Sequence, residues 1–270
     1  VRHVFEVIPD GCQHGLRVLD VAATASEEKL HLCRMTIQNS AGLQDVVSAP
    51  CGHLGFDLNS PADLPASQSL ALVRLLQGHC ALQDLVVIGE RGVGKTHVVR
   101  SFANLLGYRA RTVFCYKEIT ASDLLVRRVT DEEGNTRWRF GPVVQAALAG
   151  DIAVLDGIHR MPCGLLTAIM GRLVSDRALD LPNARLVPPE HYFSLLQSGH
   201  SEQELSSLQI YAVHPAFRVI CTAEPPQRIG NMDWLSDELL AHFLFVGLQP
   251  LSDSEHRELL RGALQEKTLG

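Results

Sequence analysis

The chain has 270 residues, 46% apolar and 20% charged, ordinary globular usage that supports a buried core and excludes a wholly disordered chain. Roughly 150 residues per domain would allow one large domain or two small ones. Lys plus Arg number 24 against 30 Asp plus Glu, a formal net charge of −6, which argues against nucleic acid as a partner of the chain as a whole.

No apolar run approaches the roughly 18 residues that a membrane-crossing helix needs. The first residue is Val1 and no charged-then-apolar leader follows it, so the sequence reads as a piece of a longer polypeptide. Seven cysteines, an odd number, are widely spaced with no Cys-x-x-Cys, which favours a reducing intracellular compartment over a disulfide framework. Cys12/His14, His31/Cys33, Cys51/His53 and His79/Cys80 bring zinc-type donors near one another. Without regular paired spacing they read as scattered half-buried side chains.

In chain order, residues 4–8 and 16–21 read as short strands around a Pro9–Asp10–Gly11 turn, and 31–37 as a third. Residues 1–60 are therefore expected to be a β-rich appendage or inter-module segment. The turn-rich stretch 59–65 marks a boundary, with a core expected over 61–250. Ser67 is expected to cap a helix carrying Leu70, Leu72, Val73, Leu75 and Leu76. Residues 85–88 form a continuous apolar run, as in a strand buried on both faces. Strands at 112–116, 152–155, 217–222 and 243–246 follow. Helices at 143–149 (closed by Gly150) and 165–174 lie between them, as does a hairpin over 125–140. This alternation predicts a parallel sheet with helices on both faces, a three-layer α/β sandwich.

Gly89–Glu90–Arg91–Gly92–Val93–Gly94–Lys95–Thr96 matches G-x-x-x-x-G-K-[ST] at every fixed position. An apolar strand precedes it and a helical stretch over 96–106 follows. Glycines let the backbone curl so that successive N–H groups converge on phosphate oxygens, and the helix points its positive end at the same anion. Lys95 would add a point charge for the β- and γ-phosphates, and Thr96 a hydroxyl for Mg²⁺. A plain glycine-rich turn is the alternative. Magnesium at such a loop also needs an acidic group at the end of a buried strand, and Asp156 directly follows the 152–155 run. The alternative for Asp156 is a helix cap.

Residues 116–125, 141–150 and 214–220, read together with the phosphate loop, resemble the AAA+ ATPases in the branch of MoxR proteins, dynein-like motors and midasin. The resemblance covers about residues 60–250. It implies a P-loop NTPase with a five-stranded parallel sheet in order 5-1-4-3-2 and a helical lid, of which 251–270 would be the start. It implies ATP or ADP with Mg²⁺ as cofactors. The implied partners are other AAA+ modules, in a ring or in the same longer chain, and a protein client. A mitochondrial member of the branch extends the implication to that compartment.

Three positions depart from the family. Its acidic strand normally ends in Asp-Glu, the glutamate activating the attacking water; here Asp156 is followed by Gly157. Its sensor strand normally ends in Asn before Pro; here the residues are Ala223–Glu224–Pro225. Glu224 would repel a γ-phosphate unless protonated or turned away, or could stand in for the missing base. Arg often precedes Phe where His242 precedes Phe243. Asp156, Glu224 and His242 are thus the catalytic candidates of a module expected to hold nucleotide and hydrolyse it slowly or not at all. An active protein-remodelling ATPase using groups from neighbouring modules, and a P-loop kinase, are the other readings.

Two further features stand apart. Arg127, Arg128, Arg137, Arg139 and Trp138 share the 125–140 hairpin, expected to be a solvated surface with cross-strand charge pairs. A substrate chain or nucleic acid is the alternative there. Residues 180–213, with a capping box at Ser201–Glu204, read as a recognition or ring-contact insert. His159–Arg160 read as a surface turn, with contact to a neighbouring module as the alternative.

Overall fold

Four antiparallel strands open the chain, β1 (Phe5–Val7), β2 (Leu16–Ala25), β3 (His31–Asn39) and β4 (Gln44–Pro50), in the order β1-β2-β3-β4. The computed structural model describes residues 5–7, 16–25, 31–39, 44–54, 64–130, 133–162, 164–226, 234–257 and 259–261. They fall into two compact units, Val1–Tyr108 with Phe245–Gly270, and Arg109–Leu244. The expected turn at Pro9–Gly11, the Cys12/His14 pair and most of the 59–65 boundary lie outside the described residues. β4 was not legible: its segment carries a single pair of valines, and pairing with β3 from Leu32↔Pro50 to Gln38↔Gln44 is what makes it a strand.

In the first unit, α1 (Ala66–Cys80) buries Leu72, Val73, Leu75 and Leu76 against the core. Its N-cap is Pro65 and not Ser67, which lies inside the first turn. The Ser67 N–H, one of the donors a helix start leaves open, is taken by the Glu255 Oε1 at 2.9 Å. β5 (Asp84–Ile88) follows, then the phosphate loop, then α2 (Lys95–Leu105). Behind α2, Gly52 and Leu54 donate to the carbonyls of Leu106 and Gly107 at 3.0 and 2.9 Å. His79 is fully buried, its Nε2 bonded to the Pro50 carbonyl at 2.7 Å and its ring edge-on to Phe102 and Tyr108. It is a core histidine. Among the described residues no group of three or more His, Cys, Asp or Glu could hold a metal ion.

In the second unit, β6 (Ala110–Phe114) leads to α3 (Ala121–Leu124) and to a hairpin of β7 (Val126–Thr130) and β8 (Thr136–Phe140). Next come α4 (Pro142–Ala149), β9 (Ile152–Asp156), a 3₁₀ turn at Ile158–Arg160 and α5 (Leu165–Ser175). The 180–213 insert resolves into a small sheet, β10 (Leu179–Asp180), β11 (Arg185–Val187) and β12 (Ile210–Ala212), enclosing α6 (Pro189–Gln197) and α7 (Glu202–Ser207). The capping box is present: Glu204 N–H donates to the Ser201 hydroxyl and Ser201 N–H to the Glu204 carboxylate. β13 (Arg218–Ala223) and α8 (Asp237–His242) complete this unit, and β14 (Phe243–Gly247) begins in it and continues from Phe245 as part of the first.

The five-stranded sheet has the order β14-β5-β13-β9-β6. Numbered from the phosphate-loop strand, that is 5-1-4-3-2, as the resemblance implied. β9 pairs in parallel with β13 and with β6. β13 is buried along its whole length, whereas β6, at the end of the order, alternates exposed and half-buried residues. The Arg111 guanidinium ties the two sides of this region by bonding the buried Asp151 carboxylate at 2.7 Å and the Gln145 side chain at 2.8 Å. Among the described residues no helix is long and apolar enough to cross a membrane.

Candidate functional site

The phosphate loop is built by the backbone. β5 is buried through Leu85–Val87 and delivers the chain at Gly89. Gly94 has φ +95°, a left-handed conformation that an L side chain adopts only under strain. It is the N-cap of α2, so the eleven-residue helix starts directly behind the loop. Arg91 and Glu90 are exposed, while Val93 is buried and pins the loop to the core. Lys95 Nζ donates to the carbonyls of Gly89 and Glu90 at 2.8 and 2.7 Å. An ammonium so placed across the loop, with a helix N-terminus behind it, suits a polyphosphate. Thr96, in the first turn of α2, is exposed.

Gln68 carries no signal in the sequence. It is 4% exposed, reaches from α1, and its Nε2 donates to the Val93 carbonyl at 3.1 Å. A Cβ added at Gly94 would lie 2.3 Å from that nitrogen. A glutamine one position from an expected cap carries no motif, so only the fold places it.

In the second unit, Asp156 ends β9 half-buried. The Thr222 hydroxyl donates to Asp156 Oδ1 at 2.5 Å and accepts from the Gly157 N–H at 3.0 Å. The register Thr222↔Asp156 between β13 and β9 makes these bonds possible. Thr222 is thus a second residue that the sequence did not single out. Gly157 has φ +89°, and a Cβ there would fall 2.1 Å from the Arg160 guanidinium. Arg160 occupies the space where a side chain at this position would begin.

Glu224 is brought to the same turn. Its backbone N–H donates to His159 Nδ1 at 3.2 Å, and its carboxylate lies 3.6 Å from His159 Nε2. Accepting at Nδ1 leaves the proton of a neutral ring on Nε2, directed at the carboxylate. His159 therefore engages Glu224 and is more than an isolated surface turn. His242 ends α8 immediately before β14. Burial pushes the Cys115 thiol up to about 12, with Arg160 opposing and Asp156 adding to the shift. A thiol held protonated in this way is a poor nucleophile.

The hairpin strands are largely exposed, as expected of a solvated surface. Its register sets Arg127 opposite Arg139, Arg128 opposite Trp138 and Val129 opposite Arg137. The register faces one arginine with another, and the Arg128 guanidinium lies 4.5 Å over the Trp138 ring, a cation–π contact across the strands.

The family profile described as AAA domain (dynein-related subfamily) matches residues 84–243. Von Willebrand factor A domain-containing protein 8 of Mus musculus is 36% identical over 231 residues, covering 84% of this chain and 12% of that protein. Midasin of Dictyostelium discoideum is 22% identical over 176 residues, covering 65% of this chain and 3% of that protein. The chain thus spans a small part of these relatives. A crystal structure of a candidate ATPase from Cytophaga hutchinsonii shares the fold with a TM-score of 0.54 at 17% identity, over 76% of this chain and 53% of that one. With the phosphate loop, the sheet order and the matched span in agreement, this chain belongs to the dynein-related subfamily of AAA domains.

Proposed function

We propose that this chain is a module of a larger AAA+ machine, which grips Mg·ATP or Mg·ADP and by itself turns ATP over slowly or not at all. Residues 61–250 form the nucleotide core in this reading. Gly89, Glu90, Arg91, Gly92, Val93, Gly94, Lys95 and Thr96 hold the phosphates, and Thr96 and Asp156 are the magnesium ligands. The carrying observation is at Gly157. The position where the family places its water-activating glutamate has no side chain, and the Arg160 guanidinium stands where one would start. Losing such a base typically removes about 10²–10⁴-fold in rate. Glu224 is a poor replacement, because its carboxylate faces His159. His242 lacks the fixed charge and reach of an arginine finger, whose loss removes roughly 10³–10⁵-fold.

The module would work beside other AAA+ modules, in a ring or along the same longer chain, and act structurally or as a regulator. The large size of the relatives it matches supports that setting. A mitochondrial location rests on family resemblance. The test is turnover of Mg·ATP by the purified chain. A single turnover or none is expected; many turnovers that vanish in Lys95→Ala would reject the reading and favour an active remodelling ATPase.

A further inference from the structure

We infer that Gln68 is a positioning residue of the phosphate loop: it turns the Val93–Gly94 peptide so that the Gly94 N–H faces the phosphates, and the segment after β14 holds it in place. The inference rests on the nucleotide reading above. A peptide unit is planar, and in its trans form the C=O and N–H point to opposite sides. The chain has no cis peptide among the described residues. Gln68 Nε2 holds the Val93 carbonyl toward α1 at 3.1 Å. The Gly94 N–H must then point away from α1. The reverse amide orientation would set Gln68 Oε1 against the carbonyl oxygen, two acceptors facing each other, so Nε2 is the atom on Val93.

The arrangement is costly in one respect and exclusive in another. Gln68 Oε1 is buried with no hydrogen-bond partner, a state that an apolar side chain of the same length would avoid. Gly94, in turn, leaves no room for a Cβ because the Gln68 carboxamide fills that space. Glutamine at 68 is thus a worse filler than methionine would be, and what it supplies is the bond to the loop. The turn of α1 that carries Gln68 is fixed from elsewhere in the same unit. Glu255 Oε1 accepts from the Ser67 N–H at 2.9 Å, and Glu255 Oε2 accepts from the Ser252 N–H and hydroxyl at 2.8 Å each. Leu248 meets the loop at its other end: its N–H bonds the Ile88 carbonyl at 2.7 Å, and its own carbonyl would lie 2.7 Å from a Cβ added at Gly89. Both ends of the loop are therefore held by residues in, or fixed from, the stretch that leaves the sheet after β14.

The experiment measures Mg·ADP affinity by calorimetry, and melting temperature without nucleotide, for the whole chain and for Gln68→Met and Glu255→Ala. The expected result is a Gln68→Met protein that melts at or above the wild-type temperature yet binds Mg·ADP roughly 5- to 10-fold more weakly, the worth of one net hydrogen bond. Glu255→Ala should weaken binding about 2- to 3-fold, with less than the full additional loss when combined with Gln68→Met. Unchanged affinity in Gln68→Met overturns the inference. So does a Gln68→Met protein that fails to fold or melts several degrees lower, which would make the residue structural. Full additivity of the two substitutions removes the link to Glu255. No uptake by the wild-type chain sinks the nucleotide reading itself, and this inference with it.

Discussion

The phosphate loop and the Asp156 strand end are both turns at the exit of a buried strand, and they are built in different ways. The loop is fixed by backbone: glycines, a helix start, and carbonyls held by Lys95 and Gln68. The strand end is fixed by side chains bonded to one another: Thr222 to Asp156 and to the Gly157 N–H, and His159 to Glu224. A backbone cradle serves any ligand carrying the right oxygens. A side-chain network serves one reaction, and here its members face each other where an isolated carboxylate would be needed to activate water. On the proposed reading, the backbone cradle keeps its grip on nucleotide while the side chains at the strand end change.

The largest expected effect lies on the loop side. Lys95→Ala removes the cation that spans the loop, and charge-assisted bonds are worth about 1.5–3 kcal/mol each. Mg·ADP affinity measured by calorimetry should drop about 100-fold. A loss below threefold would mean that the loop does not grip phosphate through Lys95. On the other side, Thr222→Val should leave the Asp156 carboxylate without its 2.5 Å donor and lower unfolding free energy by about 1–3 kcal/mol in denaturant titration. Nucleotide affinity should change much less than in Lys95→Ala. Equal losses in the two variants would abolish the distinction between backbone-built grip and side-chain-built network.

Gly157→Glu restores the family's residue and tests the network directly. The glutamate must adopt φ +89° and displace the Arg160 guanidinium, so stability should fall by about 1–2 kcal/mol. Turnover should rise by less than roughly tenfold, because Glu224 and His242 remain as they are. A rise of several hundredfold at unchanged stability would show that the single missing carboxylate, and not the surrounding network, limits the chemistry.

Much of this was legible because it is local. The phosphate loop is a contiguous motif, and the five core strands are short apolar runs whose order follows from the family resemblance. Gly150 and the Ser201–Glu204 box are likewise contiguous signals, and the structure has both. What escaped was non-local. Gln68 and Val93 are 25 residues apart, Thr222 and Asp156 66, and Ser67 and Glu255 188. No spacing rule connects such pairs; only sheet register and helix docking do. β4 was missed for the same reason, since its partner strand makes it. The arginine hairpin is legible as two short strands around a turn, but its register, which decides who faces whom, is set by the length of that turn.

The smallest effect sharpens the loop side alone. Burial pushes the Glu255 carboxyl up, but bonds from the Ser67 and Ser252 N–H groups and from the Ser252 hydroxyl outweigh it and bring it down to about 2. A depressed carboxyl contributes stability that is fully present above its unfolded value, near 4.5, and that disappears as pH falls through the folded value. Wild type should therefore melt a little higher than Glu255→Ala above pH 4.5, with the difference shrinking to nothing as pH approaches 2. Because Glu255 is half exposed to solvent, screening keeps the difference to a degree or two. Added salt should narrow it further. A difference that stayed constant through that window would mean that the carboxylate holds the first turn of α1 by its shape and not by its charge. Acid could then not loosen the loop through Gln68.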